Sequence, residues 1–412
     1  MKRVLKIAGI LILTVIIFFA GMITEALLQH INEKSKVVDI KENNTISHEQ
    51  FIEDFTEIHD IVKNNYSHLE SKQINADSLF HEYSEYIQAV KTNDEYNNLL
   101  LAYFAELRNG HSNVNFLSSY SVNCDLELVE NRVFIDRVGL SLSATGINVK
   151  DEILAIDDIL VLEWVIKQQK FVSASTDKDR FNRAAKRIFF DYSPKTRTIL
   201  LNTQTGKKEV IISLEKNTRN NIKSSVINDS TGYICIYSME GNVVGEFKKE
   251  FEKLRKKPVL IIDLRYNGGG NSDFSEEITE YLIRTEQKAC VSGRNLEPAI
   301  NHYEGKLIVL IGVNTFSSAE SFVLDLKESN NAILIGSETS GDTGNYPNSF
   351  TTTHGTSFRI PVRKPSQVSP KGFPMEGVGI MPNITVYQTV EDYLNGVDTV
   401  LEFAINNVSS SR

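Results

Sequence analysis

From Thr231 to Gly336 the chain repeats one pattern, a short apolar run followed by a loop and an amphipathic stretch. The runs are "GYICIYS", "KPVLIIDL", "LIVLIGV" and "AILIG", with segments such as "VVGEFKKEFEKLRK" between them. A strand with one wet face alternates polar and apolar residues, whereas a strand apolar at every position must be covered on both faces. Helices supply that cover, and a helix between consecutive strands makes them parallel. The pattern therefore predicts an α/β fold built on a buried, largely parallel sheet.

At 412 residues the chain exceeds one ordinary domain, so the protein is expected to be multi-domain. Its net charge of -9, with no basic cluster beyond the first six residues, sets nucleic acid aside as a partner. Cys124, Cys235 and Cys290 are odd in number and far apart. They form neither a disulfide framework nor a metal site and read as small buried apolar residues. The acidic residues show no ligand spacing and no phosphate loop is present, so neither metal nor cofactor is expected.

Lys2, Arg3 and Lys6 precede an uncharged stretch from Ile7 to Ile23, long enough to approach one bilayer crossing. Residues 1–28 are read as a transmembrane anchor or signal segment, with an uncleaved anchor preferred because no small-x-small cleavage site is evident. Positive charges ahead of the span place the rest outside the cytoplasm: single-pass at a cell envelope, or secreted if the segment is cleaved. Residues 29–45 read as a polar linker. Residues 46–115 read as a helical domain, with capping boxes at Ser47/Gln50 and Thr92/Glu95 and a stop at "RNG", where Asn109 or Gly110 can take the left-handed cap. Residues 122–215 are β-rich with one helical patch at "DKDRFNRAAKRIF", and residues 223–405 carry the parallel sheet.

In parallel sheets chemistry gathers at the carboxyl ends of the strands. Two ends stand out, "DLRYNGGGN" and "NTFSSAES". Gly268, Gly269 and Gly270 allow backbone N–H groups to approach a ligand closely. Ser317 and Ser318 lie where a strand turns into a helix, with helix-terminal N–H groups behind them, the arrangement acyl transfer needs. The same "SSAE" is also a capping box, and Gly-rich turns often serve only tight chain passage. Of eight histidines, His111 differs from the rest by following a helix-ending glycine at a domain junction. A local Ser-Lys dyad is disfavoured, because Lys327 lies about 15 Å along the helix from Ser317.

Taken in order, "GYICIYSM", "LIIDLRYNGGGN", "LIVLIGVNTFSSAES", "AILIGSETSGDTGN" and "MEGVGIMPNITV" resemble the S41 family of serine peptidases, the C-terminal processing (tail-specific) proteases and their tricorn-like relatives. The resemblance implies a ClpP/crotonase-like protease core and makes "GINVKDEILAIDD" similar to part of a PDZ domain. Residue by residue it makes Ser317 the nucleophile. Ser318 and Gly268 or Gly269 become the oxyanion-hole donors. The lysine of the processing-protease branch is absent, since Asp342 stands at that position. The tricorn-like branch implies His111 as base and Glu376 as its carboxylate. That branch places a serine just before the histidine, where this chain has Gly110.

The function so implied is a membrane-anchored, extracytoplasmic serine endopeptidase that cleaves extended or unfolded polypeptides through an acyl-enzyme. The β-rich module would capture a peptide terminus by strand addition. Oligomeric state is left open. Two alternatives stand beside this reading, a catalytically inactive peptide- or ligand-binding protein on the same scaffold and a serine esterase or short-peptide hydrolase.

Overall fold

Three helices open the described chain: α1 (His48–Asn65), α2 (Ala76–Ile87) and α3 (Asn93–Glu106). The computed structural model describes residues 47–116, 119–214, 221–329, 331–363, 372 and 376–408. The apolar stretch Ile7–Ile23 and the linker 29–45 lie outside them. Among the described residues no helix is long and apolar enough to cross a membrane. Phe51, Phe55, Ile58 and Val62 form one buried stripe of α1. Phe51 stacks on Tyr96 and Phe55 meets Tyr103 edge-on, with ring centroids 4.5 and 5.1 Å apart. Burial of each such side chain contributes about 1.5–3 kcal/mol. The Thr92/Glu95 capping box opens α3. At its other end the left-handed residue is Arg108, at φ 51°, and not Asn109 or Gly110. Those two residues are used in the site described below.

A short strand β1 (Asn113–Val114) leads into the β-rich module. There β2 (Cys124–Val129), β3 (Arg132–Val138), β4 (Glu152–Ile156), β5 (Thr196–Thr203) and β6 (Gly206–Ser213) form an antiparallel sheet in that order. Helices α4 (Val161–Gln168) and α5 (Asp177–Lys186) cover it, packing Trp164, Val165, Ala184 and Ala185 onto Val133, Ile135, Ile199 and Leu201. Strand β2 is an edge of this sheet.

The apolar runs become a six-stranded sheet: β7 (Ile222–Val226), β8 (Thr231–Ile236), β9 (Val259–Asp263), β10 (Lys306–Ile311), β11 (Ala332–Gly336) and the two-residue strand 384–385 at the far edge. Only β7 is antiparallel to its neighbour. Side chains alternate faces, so each strand feeds two cores. Leu260, Ile262, Leu307, Val309 and Ile311 face α6 (Val243–Leu254), α7 (Ser272–Glu280) and α8 (Ser318–Glu328) through Phe247, Phe251, Ile278 and Phe322. Ile261, Ile308, Leu310 and Ile335 face Val400 and Ala404 of the C-terminal helix 399–408. The hairpin Tyr346–Thr351/Ser357–Arg363 carries His354 in its turn and pairs with β1, tying the helical part to the core. All three cysteines are buried and none is joined in a disulfide.

Candidate active site

The loops after β9, β10 and β11 are laced together at the carboxyl edge of the sheet. Thr315 Oγ1 donates to the Leu264 carbonyl at 2.9 Å, and the Phe316 N–H donates to the Asn267 carbonyl at 3.0 Å. The Ser340 N–H and hydroxyl both reach the Thr315 carbonyl, at 3.1 and 2.9 Å. These bonds tie the backbones of the three loops to one another where the sheet ends.

Ser317 sits where β10 turns into α8, at φ 58° and ψ -121°. This left-handed backbone is rare for a residue with a Cβ and costs about 1–3 kcal/mol. The surroundings hold it there. The Ser317 N–H donates to Glu320 Oε2 at 3.0 Å, and the missing side chain of Gly269 leaves room behind it. A Cβ on Gly269, itself at φ 85°, would lie 2.7 Å from the Phe316 carbonyl and 2.8 Å from Ser317 Cβ. The Glu320 N–H donates to the Ser317 carbonyl at 2.8 Å. The Ser317 hydroxyl lies 2.7 Å from His111 Nε2, 206 positions away in sequence.

His111 is fixed by the turn after α3. Its N–H donates to Asn109 Oδ1 at 2.9 Å, and its ring stacks on Phe316 at 4.8 Å. The Arg183 guanidinium covers Phe316 at 3.9 Å. The other ring nitrogen, Nδ1, faces Asp342 Oδ1 at 3.5 Å, long for a hydrogen bond and close enough for ion pairing once the ring is charged.

Asp342 is fully buried. Its oxygens accept from the Gly110 N–H at 2.9 Å and from the Ser175 N–H and hydroxyl at 3.3 and 2.7 Å. Burial pushes this carboxyl up, but His111, Arg183 and Ser175 together outweigh it, and the net effect is a lowered pKa. The group is therefore held as a carboxylate beside the imidazole.

The carboxylate that faces the His111 ring is Asp342, while Glu376 reaches the histidine only through Asn109, whose Oδ1 accepts the His111 N–H and whose amide donates to Glu376. Glu376 forms a bridge with residue 342 and pairs with Lys72 at 2.5 Å. It accepts from Asn109 and Asn345 side-chain amides at 3.1 and 2.5 Å, and lies 2.8 Å from Ser175 Oγ. The physical reason is room. Gly110 has no Cβ, and one built there would stand 2.8 Å from Asp342 Oδ2 and 2.8 Å from the Phe316 ring. A serine before the histidine would collide with the aspartate that occupies the space. Asp342 could have been found in the sequence as an acidic residue following the next apolar strand.

Ser318 opens α8, and its N–H together with that of Gly268 lies on the loops beside Ser317. The Gly269 N–H, expected as a possible donor, is committed to Asn267 Oδ1 at 2.8 Å. Glu320, in the sequence only the last residue of the "SSAE" capping box, is fully buried and ties the site together. Besides Ser317 it accepts from the Thr339 and Ser340 hydroxyls at 2.7 and 2.9 Å and from the Gly341 and Asp342 N–H groups at 2.8 and 3.0 Å. Burial raises its pKa to about 7 against the pull of those hydrogen bonds. Among the described residues no cluster of His, Cys, Asp and Glu could hold a metal ion.

A cavity of about 530 Å³, lined by neither Ser317 nor His111, lies beside this edge and reaches the β-rich module. Its wall includes Asn314, Tyr266 and Ser238 from the sheet loops, Arg183 from α5, and Cys124 to Leu126 of the edge strand β2. A histidine-paired serine on a strand-to-helix turn, with backbone donors beside it and a buried carboxylate behind the imidazole, defines a serine hydrolase.

The comparisons with known proteins place it more closely. The profile of Peptidase family S41 matches residues 230–386. The N-terminal domain of Bacteroidetes S41 family peptidases matches 128–214, and the Tricorn protease C1 domain matches 47–105. The chain is 26% identical over 302 residues to the carboxyl-terminal-processing protease of Picosynechococcus sp., covering 69% of this chain and 67% of that protein. It is 28% identical over 177 residues to the tricorn protease of Thermoplasma acidophilum, covering 42% of this chain but only 16% of that much longer protein. In fold it is similar to mature CPAF, with a TM-score of 0.69 over 87% of this chain and 98% of that one at 14% identity. The tricorn protease structure gives a TM-score of 0.52 at 20% identity over 88% of this chain and 36% of that one. The chain belongs to the S41 family and is a serine-type peptidase.

Proposed function

We propose that the protein is an endopeptidase that cleaves extended or unfolded polypeptide through an acyl-enzyme on Ser317, with His111 as base. The observation that carries this reading is the 2.7 Å approach of His111 Nε2 to the hydroxyl of a serine in a strained left-handed backbone. With its Nδ1 proton directed at Asp342, the imidazole presents an acceptor to the Ser317 O–H. As the oxygen attacks a peptide carbonyl, His111 takes the proton and Asp342 stabilises the imidazolium. The Gly268 and Ser318 N–H groups face the developing oxyanion. His111 then protonates the leaving amine, and water resolves the ester by the same steps in reverse order.

The cavity supports an extended substrate. A strand laid along the outer side of β2, the last strand of its sheet, would enter along Cys124 to Leu126 and run toward Asn314 and Tyr266 at the sheet edge. This is the sense in which the β-rich module acts in a PDZ-like manner. Ile7–Ile23, behind a basic start, would anchor the enzyme in a membrane with these domains on the extracytoplasmic side.

The test is a fluorophosphonate probe read by intact mass on the wild type, Ser317→Ala, Ser318→Ala and His111→Ala. One adduct, lost in Ser317→Ala and His111→Ala and kept in Ser318→Ala, is expected, together with cleavage of an unfolded protein. No adduct on folded wild type would overturn the reading and favour a binding protein on this scaffold. Turnover of small esters without protein cleavage would favour the short-substrate hydrolase.

A further inference from the structure

We propose that Ser175, supplied by the β-rich module, is a positioning residue whose single hydroxyl proton moves between Asp342 and Glu376 in step with the charge on His111. The proposal rests on the reading of Ser317 and His111 given above. Ser175 Oγ lies 2.7 Å from Asp342 Oδ1 and 2.8 Å from Glu376 Oε1. A hydroxyl has one proton to donate, so at any moment one of these two carboxylate oxygens receives it and the other faces a lone pair.

The oxygen contacted by Ser175 is also the oxygen that faces His111 Nδ1, and both compete for it with the Gly110 N–H. While His111 is neutral, Asp342 draws the Ser175 proton. Glu376 tolerates this because Lys72, Asn109 and Asn345 already donate to it. Once His111 has taken the proton of Ser317, the imidazolium compensates Asp342, and the Ser175 O–H turns to Glu376. Asp342 then gives its full negative potential to the imidazolium, at the moment the reaction creates that charge. No bond to hydrogen is broken at Ser175; the O–H only rotates.

Other charged groups surround the array. Arg183, paired with Asp179, and Glu320 stand on the Asp342 side. His68, bonded to Asn345 Oδ1 at 2.8 Å, and Tyr66 stand on the Glu376 side with Lys72. Ser175 itself is placed by its own backbone. Its neighbours Ser173 and Thr176 bond the Asn109 carbonyl at 2.7 Å and the Ser340 carbonyl at 2.9 Å, so the hydroxyl is fixed relative to both the base loop and the acid loop.

The experiment follows the rate of fluorophosphonate labelling of the full-length chain against pH, and reads the midpoint of its acid limb. Removing the hydroxyl in Ser175→Ala takes more from the neutral state of His111 than from the charged state. The midpoint should rise by about 0.3–0.5 in pH, a fraction of one hydrogen bond. In Glu376→Gln the side-chain carbonyl stays toward Lys72 and Asn109 and is a weaker acceptor than the carboxylate, so the Ser175 O–H stays bonded to Asp342 and the midpoint should fall by a similar amount. That fall should shrink to less than half when Ser175 is alanine, and Ser175→Thr should keep the wild-type profile. Where Ser175→Ala does not fold, Ser175→Cys, nearly isosteric with a weak donor, carries the same expectation.

An equal Glu376→Gln shift with and without the hydroxyl would show that Glu376 acts through space, and would overturn the proposal. An unmoved midpoint in a folded, labelled Ser175→Ala would do the same. Absence of wild-type labelling, or labelling that survives Ser317→Ala, would instead bring down the assignment of Ser317 on which the proposal depends.

Discussion

At the scale of single residues the site is governed by where a Cβ can and cannot be. Ser317 carries one in a backbone region that favours glycine, and its neighbour Gly269 lacks one because Ser317 occupies that space. Ser317→Gly should therefore abolish probe labelling while stabilising the fold by about 1 kcal/mol, read as a raised denaturant midpoint. An equal or lower midpoint would mean that the turn is not strained. Gly110 is the complementary case. Restoring the serine that relatives carry before the histidine should slow labelling by at least about tenfold, because a displaced Asp342 or Phe316 tilts the imidazole and small misplacements are costly in rate. Labelling of Gly110→Ser at the wild-type rate would show that the loop can yield.

At the scale of elements, buried carboxylates fasten loop to loop. Glu320 gathers five donors from the start of α8 and from residues 339–342, and so sets the distance between the nucleophile loop and the acid loop. Glu320→Gln keeps the shape but points an N–H₂ at a set of donors. It should cost about 1–3 kcal/mol in a urea titration and lower the labelling rate with it. Arg265 does similar work at the far side of the sheet. It bonds Asp263 at the end of β9 and Asp398 before the last helix, at 2.7 and 2.6 Å. Arg265→Met would leave those carboxylates without their cation and should destabilise by about 3–5 kcal/mol; a loss under 1 kcal/mol would assign the pair no structural role.

At the scale of the whole molecule, buried aspartates pull stability in two directions: Asp179 and Asp325, raised by burial to about 6 and about 7, favour the folded state as pH falls toward 5, and those held by cations lose it below that. Burial raises both Asp342 and Asp191, and their cationic partners outweigh it, so both end below the ordinary aspartate value. For Asp191 those partners are Arg187, Lys195 and Arg197. A group whose folded pKa is depressed binds its proton more readily when unfolded, so unfolding is favoured as pH falls. Their contribution should be complete above about pH 5 and decline steadily below about pH 4, the unfolded aspartate range. Equilibrium unfolding at a series of pH values measures this, and a flat profile between pH 5 and 3 would show that other groups compensate.

The sequence by itself determined the sheet and its direction, because the unbroken apolar runs of β9 and β10, polar only at Asp263 and Lys306, have nowhere to go but between two layers of helix. It determined α3 through the Thr92/Glu95 box, and it marked Ser317 and His111, since a serine on a strand-to-helix turn and a histidine at a junction are local features. Only the tertiary structure decided which carboxylate stands behind His111. Asp342, Glu376 and Ser175 come from three distant segments, and no local rule states which of them fits beside a glycine. That choice follows from close packing around Gly110, where the space left by one absent methyl group admits the aspartate and excludes a serine. The engagement of the Gly269 N–H was decided in the same way, by a side chain of Asn267 that folding turns back onto it.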